Sequence, residues 1–412
     1  GKTEVACRRV AWLVNECRIQ PSSVILISFT RTAVHEIRNR IASLTSKATA
    51  NSVQISTIDS LVWQIRSGRT NTARLDGNFE ENILRLIDEL EDISSIRDYL
   101  GTIGHIIIDE AQDIVEPRSE LILKMLESVS PVCGVTVFTD QAQAIYGFAS
   151  ADHQLEKGSQ PEATSLLQQI AASEMSRGFK SFSLSRVYRT NSDQLLRVFT
   201  DVRSKVLSSE SSAHMVYSEV RDAIKAASVG NADGSVSALV EKLDARSSFI
   251  LFRTRVEVLG ASSELVSNGI QHRVRMSGLP ALLPAWIALA LAEAEQLKIS
   301  RSHFQELWDK NVVPTVFAYG NNSEESFNLL RRMSSSRDDC IDISRLRDRL
   351  GRHPPVLTAS EFGRAGPILS TIHASKGREA EQVILVLPEP VDDAASDIAV
   401  NLETKVMFVA AS

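Results

Sequence analysis

Gly104-His105-Ile106-Ile107-Ile108-Asp109-Glu110-Ala111-Gln112-Asp113, residues 104–113, is the stretch that decides the fold. Three consecutive isoleucines predict a strand buried on both faces, the habit of a parallel sheet covered by helices. Two adjacent acids follow at its carboxyl end, the edge of an open α/β sheet where ligands bind. Asp109 is suited to hold Mg²⁺ there, and Glu110 to orient a water against a phosphoryl group. A strand ending in Asp-Glu is one half of a nucleoside triphosphate site. Gly1-Lys2-Thr3 supplies the other, as the end of a G-x-x-x-x-G-K-[ST] phosphate loop. In that role Lys2 reaches the β- and γ-phosphates and Thr3 ligates Mg²⁺. Read alone, the two elements are a capped helix and an acidic turn; paired, they point to a phosphate site.

Around this pair the chain alternates strand and helix. Residues 4–19 carry Val5, Val10, Leu13, Val14 and Cys17 at helical spacing, and Val24-Ile25-Leu26-Ile27 predicts a strand. A helix is expected over 32–42, a strand over 53–56, an acidic helix over 81–99 and a strand over 135–138. Residues 150–180 are rich in Ser, Gln and Gly and read as a connector. A second unit follows, with strands at Phe182-Ser183-Leu184 and 248–252, helices over 192–204 and 257–268, and a late buried strand at 383–387. Residues 276–360 read as helical and free of strands up to Pro354-Pro355. The expected fold class is therefore α/β with two domains, 1–180 and 181–412, and small, mainly helical insertions at about 62–100 and 276–360.

The 412 residues carry a net charge of −6, so any nucleic-acid contact has to come from a local groove, not a global basic field. Cys7, Cys17, Cys133 and Cys340 are scattered and read as reduced intracellular thiols. No apolar run reaches spanning length, and no signal peptide is visible; a cytoplasmic protein without membrane contact is expected.

Three further segments narrow the chemistry. Asp140 to Phe148 follows a strand and mixes amides with aromatics: Gln143 is placed to sense a γ-phosphate, and Tyr146 and Phe148 offer faces for bases. On its own Tyr146 reads more simply as a core aromatic. Arg189, after Tyr188, can neutralise a transferring phosphoryl group or make a surface salt bridge. Thr371 to Glu379 is a polar, turn-forming segment that reads on its own as a solvated loop.

In order, these segments resemble the motifs of the UvrD/Rep family of superfamily 1 DNA helicases. Gly1-Lys2-Thr3 resembles its motif I, 27–37 motif Ia, and 56–61 the DNA-contacting motif after it. Asp109 to Asp113 matches D-E-x-Q-D of motif II, and Asp140 to Phe148 motif III. Leu184 to Thr190 resembles motif IV, Leu251 to Thr254 the short motif after it, Thr371 to Glu379 motif V, and Glu403 to Ser412 the start of motif VI. Departures are Thr139, Val187, Arg378, Lys405 and Phe408, and none of them removes a phosphate-contacting group.

The resemblance implies two RecA-like (P-loop NTPase) parallel-sheet domains, with ATP and Mg²⁺ as cofactors. It implies catalytic roles for Asp109, Glu110, Gln143 and Arg189, the last as an arginine finger. It places Gly1, Lys2, Thr3, Gln112, Tyr188, Gly377 and Glu379 around the nucleotide, with Tyr188 stacked on adenine and Glu379 near the ribose. It puts Phe29, Thr30, Thr57, Tyr146, Phe148 and His373 against DNA, and Thr3 and Asp109 on the metal. The function it implies is ATP-dependent translocation on single-stranded DNA or single/double-strand junctions, 3′ to 5′, with unwinding. The compact insertions favour translocation over processive unwinding. Alternatives are an ATPase motor serving a nuclease, repair or defence partner, and a non-catalytic DNA-binding relative. The front of the phosphate loop and the motif VI Arg lie outside the chain, so this polypeptide alone is expected to hydrolyse ATP poorly and its longer parent to be active.

Overall fold

Val24–Ile27 (β1) and His105–Ile108 (β3) are buried at every position and lie side by side, Val24 against His105 and Ile27 against Ile108. Gln54–Ser56 (β2) and Gly134–Val137 (β4) flank them, giving a four-stranded parallel sheet in the order β2-β1-β3-β4. The period of two along a strand divides the isoleucines between two layers. Ile25, Ile27, Ile106 and Ile108 face a core with Leu61, Ile83, Leu86 and Leu121, whereas Val24, Leu26 and Ile107 face Cys7, Val10, Ile37 and Ile41. Burial on both faces is why these strands read as unbroken apolar runs.

The structure, a computed structural model, describes residues 1–29, 31–69, 79–146, 166–172, 178–188, 190–208, 211–230, 234–241, 243, 248–276, 285–294, 296–315, 322–334, 338–350, 362–363, 366–388, 390–392 and 394–412. Its contacts define two compact units, 1–228 with 391–412, and 229–390. The boundary expected at 180/181 falls within the first of these units.

In the first unit Lys2–Asn15 (α1) and Arg31–Leu44 (α2) cover one face of the sheet; Ile58–Arg69 (α4), Phe79–Asp92 (α5) and Arg118–Ser128 (α7) cover the other. The short helix Lys47–Ser52 (α3) joins the α1/α2 face through Ala50, and Ser94–Gly101 (α6) follows α5, so the segment expected to be one helix over 81–99 is two. The described residues of the 62–100 region, 62–69 and 79–100, are helical apart from Ile93. Its layers are tied by Arg66, which lies 6% exposed and donates to Asn82 Oδ1 at 2.6 Å and to both Glu89 carboxylate oxygens at 2.9 and 3.0 Å. Arg66→Ala removes all three bonds and is expected to destabilise the chain by about 3 kcal/mol in chemical denaturation. Arg66→Lys, which keeps the charge but loses the fork, should recover part of that loss.

The expected strand at Phe182-Ser183-Leu184 is not formed: residues 178–188 are irregular, with Phe182 85% exposed. Its apolar residues meet the side-chain condition for a strand, but among the described residues no strand pairs with its backbone. The expected 192–204 helix is an unbroken helical run in three parts, Asp193–Arg197, a π-turn Val198–Val202, and Arg203–Val206. Helix Ala213–Ala227 packs along the C-terminal helix Asp397–Ala411 in the same unit.

The second unit holds a five-stranded sheet ordered β11-β5-β10-β6-β9, built from Ser248–Phe252 (β5), Arg273–Arg275 (β6), Phe362–Gly363 (β9), Ile368–Thr371 (β10) and Gln382–Leu385 (β11). All its pairings are parallel except β6 with β9. The late strand expected to be buried is β11, an edge strand with Val383 47% exposed. Hydrophobicity marks a strand, but position within the sheet is set by non-local pairing. The region expected to be helical without strands also contains an antiparallel pair, Lys298–Ser300 (β7) with Cys340–Asp342 (β8). Three-residue strands carry too little periodicity to register. Around the pair, four helices enclose a core of Trp286, Phe304, Trp308 and Phe327. Among the described residues no helix is long and apolar enough to cross a membrane.

Candidate active site

The carboxyl edge of β3 passes directly into the acid pair. The Asp109 amide donates to the Ile27 carbonyl at 2.9 Å and the Ala111 amide to the Phe138 carbonyl at 2.9 Å, so the backbone on both sides of Glu110 stays pinned to neighbouring strands. Glu110 itself turns the chain with φ 55° and ψ 44°, the left-handed region that a Cβ-bearing residue enters at a cost of about 1–3 kcal/mol. Glycine would relieve that cost. What glutamate adds is its carboxylate, which receives Lys2 Nζ at 3.1 Å and the Gln112 side-chain amide.

Lys2 and Thr3 arrive on the first turn of α1, whose apolar stripe of Ala6, Cys7, Val10 and Leu13 fixes the helix on the sheet. Gly1, the exposed N-cap, precedes them. Thr3 Oγ1 donates to Asp109 Oδ2 at 3.1 Å. Asp109 is 2% exposed, and its pKa is pushed up to about 6, first by burial and then by the Glu110 charge, against the Thr3 hydrogen bond and the Lys2 charge. The sequence-expected set Lys2, Thr3, Asp109, Glu110 and Gln112 is thus one cluster. A buried carboxylate beside a hydroxyl is a hard oxygen pair, the protein share that Mg²⁺ takes when phosphate and water complete its shell.

Gln112, 5% exposed, faces two ways. Its amide NH₂ reaches Glu110, and its carbonyl accepts from the Asp140 backbone N–H at 2.9 Å. Asp140 then caps the 3₁₀ turn Gln141–Gln143 by accepting from Ala142 N–H at 3.2 Å. Gln143, expected to sense phosphate, sits half-buried at the end of that turn. Arg203 donates to the same Asp140 oxygen at 3.0 Å. From sequence, Asp140 opens the 140–148 segment without a role of its own, and Arg203 does not stand out. The short Asp-led turn was a usable signal for Asp140; for Arg203 nothing local pointed across 63 residues.

Three of the expected DNA-facing residues share one cavity. Phe29, Thr57 and Tyr146, with Ser28, Asp113 and Arg118, line a space of about 200 Å³. The Phe29 and Tyr146 rings are 4.8 Å apart at 40°. Burial, with the Asp113 charge, pushes the Tyr146 phenol up to about 12, so it stays a neutral aromatic near pH 7. Thr57 caps α4, its hydroxyl 3.3 Å from the Ser60 amide. Arg118 bridges to Asp59 at 3.1 Å on the same cavity wall.

Thr30, Phe148 and Arg189 lie outside the described residues. Tyr188 is 72% exposed, with the Arg186 guanidinium 4.9 Å from its ring centroid. His373, Gly377 and Glu379 belong to the second unit, just after β10. There Thr371 caps the turn Ile372–Ser375, His373 is half-buried, Gly377 takes φ 78°, and Glu379 is exposed.

Residues 1–83 and 74–161 match the family model described as UvrD/REP helicase N-terminal domain. The chain is 34% identical over 79 residues to the ATP-dependent DNA helicase Rep of Buchnera aphidicola subsp. Schizaphis graminum, which covers 19% of this chain and 12% of that protein. It is 30% identical over 126 residues to the ATP-dependent DNA helicase PcrA of Leuconostoc citreum, covering 29% of this chain and 17% of that one. It is also 30% identical over 148 residues to the ATP-dependent DNA helicase UvrD1 of Mycobacterium leprae, covering 34% and 18%. The matched part is thus less than a fifth of each of these relatives.

Proposed function

We propose, from its membership of the UvrD/Rep helicase family, that this chain is the motor region of an ATP-dependent helicase that moves 3′ to 5′ along single-stranded DNA. In this reading the two sheets are RecA-like domains and the cluster at the end of β3 is the hydrolytic site. One observation carries it: Lys2 and Thr3 meet Asp109, Glu110 and Gln112, more than 100 residues further along the chain, through direct hydrogen bonds.

Mg²⁺, held through Thr3 and Asp109, would supply charge neutralisation of the phosphates. The chain's own groups do the rest. Glu110, its carboxylate aimed by Gln112, accepts the proton of the attacking water. Lys2 exchanges its contact with Glu110 for phosphate oxygens, which frees the base as nucleotide binds. Asp140 and Tyr146 lie in one short segment, and the first holds Gln112 while the second stacks on Phe29 in the cavity. That segment supports coupling between the nucleotide site and DNA bases, which stack on aromatic faces with about 1–3 kcal/mol each whatever their sequence. Tyr188, Arg189, His373, Gly377 and Glu379 take the nucleotide and DNA roles expected for their motifs.

Partial duplexes with a 3′ or a 5′ single-stranded tail test the reading in the full-length protein. ATP-dependent displacement from the 3′-tailed substrate is expected, with the 5′-tailed one left paired. Displacement only from the 5′ tail overturns the polarity, and displacement from neither overturns unwinding.

A further inference from the structure

We infer that Arg203 is a positioning residue for the hydrolytic base, acting through Asp140 and Gln112; this rests on the ATP-hydrolysing reading of the site. The connection is a continuous chain of hydrogen bonds within the first unit. Arg203 Nη2 donates to Asp140 Oδ1 at 3.0 Å, the Asp140 N–H donates to Gln112 Oε1 at 2.9 Å, and the Gln112 amide donates to Glu110. Each link leaves its acceptor less room to turn. Asp140 has two tasks, since the oxygen that receives Arg203 also receives Ala142 N–H and so starts the turn carrying Gln143.

An exposed ion pair seldom fixes anything, because both side chains must be ordered to make it. This pair is one-sided. The Asp140 side chain is only 15% exposed and already held by a backbone N–H, so only Arg203, at 41%, loses freedom. The local helix supports the placement. Arg203 immediately follows the π-turn Val198–Val202, in which Val198 and Val202 are buried at 1% and 3%. A π-turn inserts one residue into the helical register, turning every later residue by about 100° about the axis. Arg203 thus owes its direction to that turn. Beyond it, Lys205 pairs with Glu219 on helix Ala213–Ala227, which holds the end of the run.

The chain therefore links the helical run that follows Tyr188 to the carboxylate that activates water, without Arg203 touching nucleotide. The test is single-stranded-DNA-stimulated ATP hydrolysis by the full-length wild type, Arg203→Ala, Arg203→Lys, Asp140→Asn and the Arg203→Ala/Asp140→Asn double variant. Arg203→Ala is expected to lower kcat about 10-fold, the scale of an outer-shell partner, with KM for ATP within about threefold of wild type. Arg203→Lys should recover most of the rate, and the double variant should be no slower than Asp140→Asn alone. A kcat for Arg203→Ala within twofold of wild type, or effects that multiply in the double variant, overturns the inference. If Arg203→Ala unfolds, the lysine variant decides: wild-type rate supports the role, and a rate as low as that of Asp140→Asn overturns it. A wild type that does not hydrolyse ATP overturns the functional reading and the inference with it.

Discussion

Glu110→Gln in the full-length protein is expected to lower DNA-stimulated ATP hydrolysis by about 10²–10⁴-fold while leaving nucleotide affinity within a few-fold. The amide is nearly isosteric. It still offers an oxygen to Lys2 and to the Gln112 amide, so the left-handed turn and the cluster around it persist. What it loses is the capacity to take a proton. A fluorescent nucleotide titration beside steady-state hydrolysis separates the two effects. Loss of binding in step with loss of rate would mean that Glu110 only holds Lys2 in place and is not the base.

Asp109→Asn is expected to stabilise the chain and silence it together. Asp109 binds its proton more tightly folded than unfolded, with a pKa of about 6 against 3.8. Between those values the folded chain holds a proton that the unfolded chain has released, so this group's contribution to stability is lost as pH rises from about 4 through about 6. At pH 7 the full penalty of the buried charge is present, at most about 3 kcal/mol. Asparagine can accept from the Glu110 N–H through its Oδ1 and, with the direction reversed, donate from Nδ2 to Thr3 Oγ1, so both contacts persist without the charge. Thermal unfolding should therefore show the variant more stable than wild type at pH 7 and the gap closing toward pH 4. Its Mg²⁺-dependent hydrolysis should fall by at least about 10²-fold. A variant less stable at pH 7 would mean that the carboxylate is well paired in the free protein and carries no such penalty. The trade is the usual one for a site that keeps a buried charge ready for its ligand.

How much of this was legible in the chain follows from how local each signal is. Strand β3 and its acid pair stood out because burial on both faces demands unbroken apolar residues, and Asp-Glu after such a run breaks the pattern abruptly. Lys2 and Thr3 were legible because they stand side by side in Gly1-Lys2-Thr3. The helices of the first unit followed from their stripes, such as Ile83, Leu86, Ile87 and Leu90 on α5. Sheet position was not legible: β11 carries as apolar a run as β5, yet sits at an edge, because order within a sheet depends on partners far along the chain. Phe182 and Leu184 satisfied a strand pattern and found no partner, while β7 and β8 paired with almost no pattern at all. The site divides the same way. Its clustered side chains Lys2, Thr3, Asp109, Glu110 and Gln112 sit on short motifs, but Arg203 reaches Asp140 through a π-turn and a tertiary contact, neither of which leaves a periodic trace.

On the proposed reading, one cluster hydrolyses ATP in response to DNA. Its most direct test is the rate of ATP hydrolysis by the full-length wild type as single-stranded DNA is titrated at fixed low salt. A saturable rise of at least about 10-fold, weakening as salt screens the backbone contacts, is the predicted result. A rate unchanged across the titration would contradict it, leaving a site that holds nucleotide without answering to DNA.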